Sequence, residues 1–279
     1  MADGQRLKNG LKRNVRRAMR LAGPWLKSAR QPTSRILTYH SIGHRRYEMN
    51  VAPEHFSEQM AWLAASPYPV IPLDAAAQGE PGVAITFDDG YADNLQHAVP
   101  ILTRHEFPAT IFVVSGHLGS TLPREQEPES GRLMTPDELR EATARGIQIG
   151  AHTAHHPRLA TLPPASQEQE IVASKQDLEA LLNIPVTAFA YPYGAALDFS
   201  IETEQLVAAA GFSYACANQY GHNSPVRNRW ALRRIWIDST DTPASFADKV
   251  SGRLDAMALQ DSAVGIRFRR LLNRGLGTR

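Results

Sequence analysis

From Arg35 onward short apolar runs alternate with stretches of helical periodicity, an order that restricts the chain to folds built on a mainly parallel sheet, wound into a barrel or left open. The spacing predicts strands at 36–40, 70–72, 83–87, 110–114, 147–151, 187–191, 213–217 and 234–238. Between them it predicts helices at 53–65, 92–105, 135–145, 166–182, 201–210 and 243–256, several with clear starts such as Thr135-Pro136-Asp137-Glu138. No internal repeat is found. The Pro-, Gly- and Glu-rich stretch from 118 to 133 reads as a surface loop near a rim.

A length of 279 residues suits one large α/β domain, and 43% hydrophobic with 21% charged residues excludes wholesale disorder. Cys216 is the only cysteine, so no intrachain disulfide can form and a buried thiol is expected. The net charge of +2 conceals an asymmetry. Residues 1–35 carry ten Lys or Arg against Asp3, and 267–279 carry five Arg with no acid, which leaves 36–266 at net −12.

This divides the chain into a basic extension (1–34), a central domain (35–258) and a basic tail (259–279). Leu7, Leu11, Val15, Met19 and Ala22 recur every three or four residues among Arg and Lys until Gly23-Pro24, which predicts a basic amphipathic helix. With Trp25 and the matching RFRRLLNR at 267–274, it suits an anionic membrane surface. The acidic body argues against nucleic acid as a partner. The N-terminal stretch lacks a signal-peptide apolar core and no run could span a bilayer, so the sequence reads as cytoplasmic and peripheral on the inner face of the membrane.

Two sequence features point to chemistry. Thr86-Phe87-Asp88-Asp89-Gly90 follows an apolar strand and precedes a helix, which places both acids at the C-terminal edge of the sheet, where α/β active sites gather. Adjacent acids there call for a cation or a shared proton, unless one merely caps the helix. His152-Thr-Ala-His155-His156-Pro157 follows another strand; read as a helical turn, it points His152 and His156 the same way, with His155 turned elsewhere. Together these make a two-His, one-carboxylate site with open positions.

With TFDDG (86–90), HTAHHP (152–157) and FAYPYG (189–194) in this order, the chain resembles the polysaccharide deacetylase family, carbohydrate esterase family 4, over residues 35 to 240. LTYHSIG (37–43) and HFSEQMAWLA (55–64) are similar to the branch that contains poly-N-acetylglucosamine deacetylases. The resemblance implies an α/β fold of the NodB homology type, a distorted (β/α)7 barrel. It implies Asp88 as catalytic base, Asp89, His152 and His156 as metal ligands, and zinc as the usual ion. The expected reaction is hydrolysis of N-acetyl groups on amino sugars: Asp88 takes a proton from the attacking water, the ion polarises the carbonyl, and the backbone N–H of Tyr193 holds the oxyanion. A lipid-linked or lipopolysaccharide intermediate is the expected substrate. A catalytically silent glycan-binding barrel, and an enzyme acting on O-acetyl esters or small cyclic amides, are the alternatives.

Two departures from the family pattern need replacements. The late His that protonates the leaving amine is missing from Leu232-Arg-Arg-Ile-Trp-Ile-Asp238. His40, at the end of the first strand, is the candidate, and His222 the alternative. Ala190 stands where an Arg commonly orients the base, and Arg233 or Arg234 could supply that charge. Tyr191, Pro192, Tyr193 and Gly194 are expected to form one wall of the substrate groove, and Trp236 to lie in the core.

Overall fold

A computed structural model describes residues 33–45, 48–122, 131–225, 228–259 and 261. The amphipathic extension and nearly all of the basic tail lie outside the described residues. No helix among the described residues is long and apolar enough to cross a membrane.

The strands are β1 (Ser34–Tyr39), β2 (Ser41–Ile42), β3 (Asn50–Val51), β4 (Gly82–Phe87), β5 (Ala109–Val113), β6 (Gln148–Ala151), β7 (Ala188–Ala190), β8 (Tyr214–Cys216) and β9 (Ile235–Trp236). The α-helices are α1 (Pro53–Ala65), α2 (Leu73–Ala77), α3 (Val99–Arg104), α4 (Pro136–Ala144), α5 (Pro164–Leu182), α6 (Ile201–Ala209) and α7 (Pro243–Val250). Seven strands form one sheet in the order β8-β7-β6-β5-β4-β1-β9, every pairing parallel, while β2 and β3 pair separately.

The approach to β9 draws the two sheet edges together. Trp236 pairs with Thr38 of β1, while Leu232 donates its N–H to Ala215 at 2.9 Å and accepts from Ala217 at 2.8 Å beside β8. The result is a distorted seven-stranded α/β barrel, as expected.

Strand parity sorts the core into two layers. Ile36, Ala84, Phe112, Ala188, Ala190, Cys216 and Leu232 form an inner cluster. Leu37, Val83, Ile85, Ile111, Val113, Ile149, Phe189, Ile235 and Ile237 face outward and join the helices in the larger one. The inside is tight: a Cβ on Gly150 would sit 2.5 Å from the Phe112 ring. Burial pushes the Cys216 thiol up to about 12, consistent with an inert core residue.

Three expected elements differ. The strand at 70–72 reduces to a single bridge between Val70 and Val83, because Pro72 cannot extend a ladder. The following α2, not anticipated from sequence, places Leu73 and Ala76 in the inner cluster, and Ser34 Oγ donates to the Ala76 carbonyl at 2.9 Å. The helix expected at 92–105 opens with a π-helical turn, Asn94–Ala98, before α3. Pro100 lacks an N–H and would crowd the carbonyl one turn back, which the wider turn relieves. The helix expected at 243–256 stops at Val250, and Gly252 takes φ +83° after it.

Candidate active site

The C-terminal ends of β1, β4, β6 and β7 meet at one rim. Tyr39 pairs with Phe87, so Asp88 follows directly beside His40, and Asp88 N–H donates to the Tyr39 carbonyl at 2.9 Å. Asp88 continues the inward parity of Ala84 and Thr86, and His40 that of Ile36 and Thr38. Asp89 then turns the chain with φ +70°, followed by Gly90 at +82°. This reversal is what lets two consecutive carboxylates serve different partners.

Asp89, His152 and His156 are buried, and one ligand atom from each lies within 4.8 Å of the others. Asp89 Oδ1 is 3.6 Å from His152 Nε2 and 3.3 Å from His156 Nε2. Ligands about 2.1 Å from a tetrahedral ion stand about 3.4 Å apart, so the donor set fits a divalent metal as it stands. His152 donates Nδ1–H to the Ala190 carbonyl at 2.7 Å, which presents its Nε2 lone pair to the cluster.

The histidines do not share a helical turn. Residues 152–158 form a loop in which Thr153 and His156 adopt φ +64° and +60°, and His156 N–H donates to Thr153 Oγ1 at 2.9 Å. A threonine side chain and two left-handed residues therefore bring the imidazoles together. His155 points away, its Nδ1 2.8 Å from Glu170 Oε1.

Arg234 clasps Asp88 with two hydrogen bonds of 2.7 Å, inside the barrel, with the two side chains 0% and 4% exposed. Its Nε–H donates to the Ala217 carbonyl at 3.0 Å and its guanidinium lies 5.4 Å from the Phe112 ring centre. Burial alone would raise the Asp88 pKa, but the charge and hydrogen bonds of Arg234, with contributions from His152 and His40, hold it below the ordinary carboxylate range. Arg233, one residue out of phase, faces away and donates to the Tyr220 carbonyl at 3.2 Å. Ala190 leaves space in the inner layer, and the orienting charge reaches Asp88 from β9 instead.

His40 is buried and packs against the partly exposed Trp236, ring centres 5.4 Å apart. Trp236 thus stands inside the barrel beside His40 and is not simply a core residue. His222 is elsewhere. It lies 3.4 Å from Asp255 and adjoins Asn223, which bridges Ser34 at the opposite end of β1. A six-residue strand spans roughly 17–20 Å, so His222 cannot be the acid at this rim.

The expected groove wall also divides by parity. Tyr191 follows Phe189 outward, stacks on Phe199 at 4.0 Å between ring centres and donates its hydroxyl to the Trp230 carbonyl at 2.8 Å. It is core, as are the buried Pro192 and Gly194. Tyr193 alone opens outward, 45% exposed, at φ +62°, with its ring 5.0 Å from that of His156. Arg158 and Asp198, which also meet here, carried no recognisable signal in the sequence.

Residues 75–215 match the family model for polysaccharide deacetylase. YxkH of Bacillus subtilis (strain 168), itself only provisionally assigned as a polysaccharide deacetylase, is 28% identical over 230 residues, covering 80% of this chain and 77% of that protein. A poly-beta-1,6-N-acetyl-D-glucosamine N-deacetylase of Staphylococcus aureus (strain MSSA476) is 23% identical over 204 residues, covering 67% and 68%. The Streptococcus pyogenes deacetylase PplD, solved with acetate, superposes at TM-score 0.68 and 25% identity over 79% of this chain and 99% of its own. IcaB from Ammonifex degensii shares the fold, with TM-score 0.66 and 20% identity over 80% and 98%. The span matched by the family model includes Asp88, Asp89, His152, His156 and Tyr193 but neither His40 nor Arg234.

Proposed function

Because the chain belongs to the polysaccharide deacetylase family, we propose that it hydrolyses the N-acetyl group of an amino sugar within a glycan, with Asp88 as base and His40 as acid. The observation that carries this reading is the buried Asp88–Arg234 pair, standing beside the buried Asp89-His152-His156 cluster, whose three ligands leave positions open for water and substrate. Asp89, His152 and His156 would hold a divalent ion, most simply zinc, which when bound would supply Lewis-acid polarisation of the acetyl carbonyl and ease deprotonation of water.

The protein's own groups do the rest. Asp88, kept ionised by Arg234, accepts the proton of a water attacking the acetyl carbon. The backbone N–H of Tyr193, in a left-handed turn whose ring packs against that of the ligand His156, serves in this reading as donor to the oxygen that becomes negative in the tetrahedral intermediate. His40, beside Asp88 at the same rim, delivers a proton to the departing amine as the carbon–nitrogen bond breaks. Trp236 backs the His40 ring, and Tyr193 offers the exposed aromatic surface that suits a sugar face.

The test is acetate release from N-acetylglucosamine oligosaccharides in the presence of zinc, with an O-acetylated glycan in parallel. The reading predicts turnover on the N-acetylated substrate, its loss in Asp88→Asn and in His40→Ala with metal retained, and near wild-type rates in His222→Ala. A preference for the O-acetyl ester, or an active His40→Ala, contradicts it.

The basic segments at 1–34 and 267–279 further support a lipid-linked substrate met at an anionic membrane surface. Sedimentation with vesicles containing anionic lipid at low salt checks this. Binding that disappears when residues 1–30 are deleted is expected, and equal sedimentation of the truncated protein would refute it.

A further inference from the structure

The loop after β6 and the loop after β7 are fastened to each other at one point. Arg158, two residues beyond the ligand His156, forms an ion pair with Asp198, and its guanidinium carbon lies 4.2 Å from the centre of the Tyr193 ring. Asp198 is nearly inaccessible, at 4%, and serves both loops: Oδ2 accepts from Ala195 N–H at 2.9 Å and its carbonyl accepts from Ala160 N–H at 2.9 Å.

The segment so held is a demanding one. Tyr193 and Gly194 are consecutive left-handed residues at φ +62° and +65°, and a bulky side chain seldom adopts that conformation unless its surroundings hold it there. Gly194 is in turn wedged against Asn218, whose N–H donates to the Gly194 carbonyl at 2.8 Å, and a Cβ at this position would stand 2.6 Å from that nitrogen. One side of the turn is thus fixed by backbone contact. The side facing the metal ligands is fixed by Arg158, with the His156 ring completing the contact around Tyr193.

We infer that Arg158 and Asp198 are positioning residues, a clamp that sets the Tyr193 backbone N–H against the reacting carbonyl. The inference rests on the reading of Tyr193 given above. An oxyanion donor contributes only when it is placed within a fraction of an ångström of the developing charge. The clamp ties the donor to His156, so that ligand and donor keep a fixed separation.

Arg158→Ala, Asp198→Asn and the double variant test it, with kcat, KM, bound metal, the pH profile and thermal midpoint measured together. The expected result is a kcat lower by about 10- to 100-fold, with KM and metal content held and both limbs of the pH profile in place. The double variant should be no worse than the poorer single one, and Arg158→Lys, which keeps the ion pair, should recover part of the rate. If Arg158→Ala loses its cooperative melt, the nearly isosteric Asp198→Asn carries the same test. A kcat within about twofold of wild type, a raised KM with kcat intact, or loss of metal would each overturn the clamp. Asp88→Asn separates the two ideas: if it stays active the underlying reading is wrong, whereas an inactive Asp88→Asn beside a fully active Arg158→Ala removes the clamp alone.

Discussion

At the residue scale the decisive pair is Asp88 with Arg234. Two buried, bidentate hydrogen bonds orient the carboxylate and keep it charged, at the cost of desolvating both partners. Replacing Arg234 by Met removes a cation from a buried anion, so the Asp88 pKa must rise. The acidic limb of the kcat/KM profile should therefore move to higher pH by about one pH unit or more, with a large fall in rate at neutral pH. Stability should fall by about 3–5 kcal/mol, because the carboxylate stays buried without its partner. Arg234→Lys, which keeps the charge but not the fork, is the variant to follow if the Met variant does not fold. An acidic limb that stays in place would show that Arg234 does not govern the base. The sequence left Arg233 and Arg234 as equals, yet strand parity separates them: Ile235 and Ile237 face the helices, so Arg234 and Trp236 face inward. The same parity sends Tyr191 to the core with Phe189 and leaves the exposed wall to Tyr193.

At the element scale, the legible parts were those whose local chemistry is self-contained. Helix α4 begins where Thr135 and Glu138 reciprocate in a capping box, and α1 spans its expected residues with Phe56, Met60 and Leu63 on one buried face. Arg132 hydrogen-bonds both oxygens of Glu138 and, with the cap, lowers its pKa to about 2. Because the folded-state value is depressed, this contribution is complete above the ordinary glutamate range and is lost as pH falls toward 2. Thr135→Ala should cost about 1 kcal/mol in urea unfolding at pH 7. Glu138→Gln should narrow its stability gap to wild type as pH drops from 5 to 2.5; a constant gap would contradict the role given to the charge. Less legible were α2, a five-residue helix too short for periodicity, and the His152–His156 loop. There the spacing of four suggested a helical turn, but Thr153 and left-handed backbone produce the convergence.

At the scale of the whole molecule, the site exists because the barrel draws its edges together. Asp88 and Arg234 are 146 residues apart in sequence, and they meet only because β9 runs beside β1 while Leu232 pairs with Cys216. The motifs announced the metal ligands and the base, since each sits within a few residues of a strand end. They left the partner supplied by closure open between Arg233 and Arg234. The same topology explains why His222, the alternative to His40 in the sequence, lies at the other end of β1. The central claim, a metal-dependent deacetylase centred on Asp89, His152 and His156, is most directly tested by titrating chelator-stripped protein with zinc while following acetate release. The account predicts no release without metal, activity that rises to a plateau at one equivalent, and no recovery in His156→Ala. Full acetate release from the stripped protein, or a plateau that His156→Ala reaches equally, would contradict it.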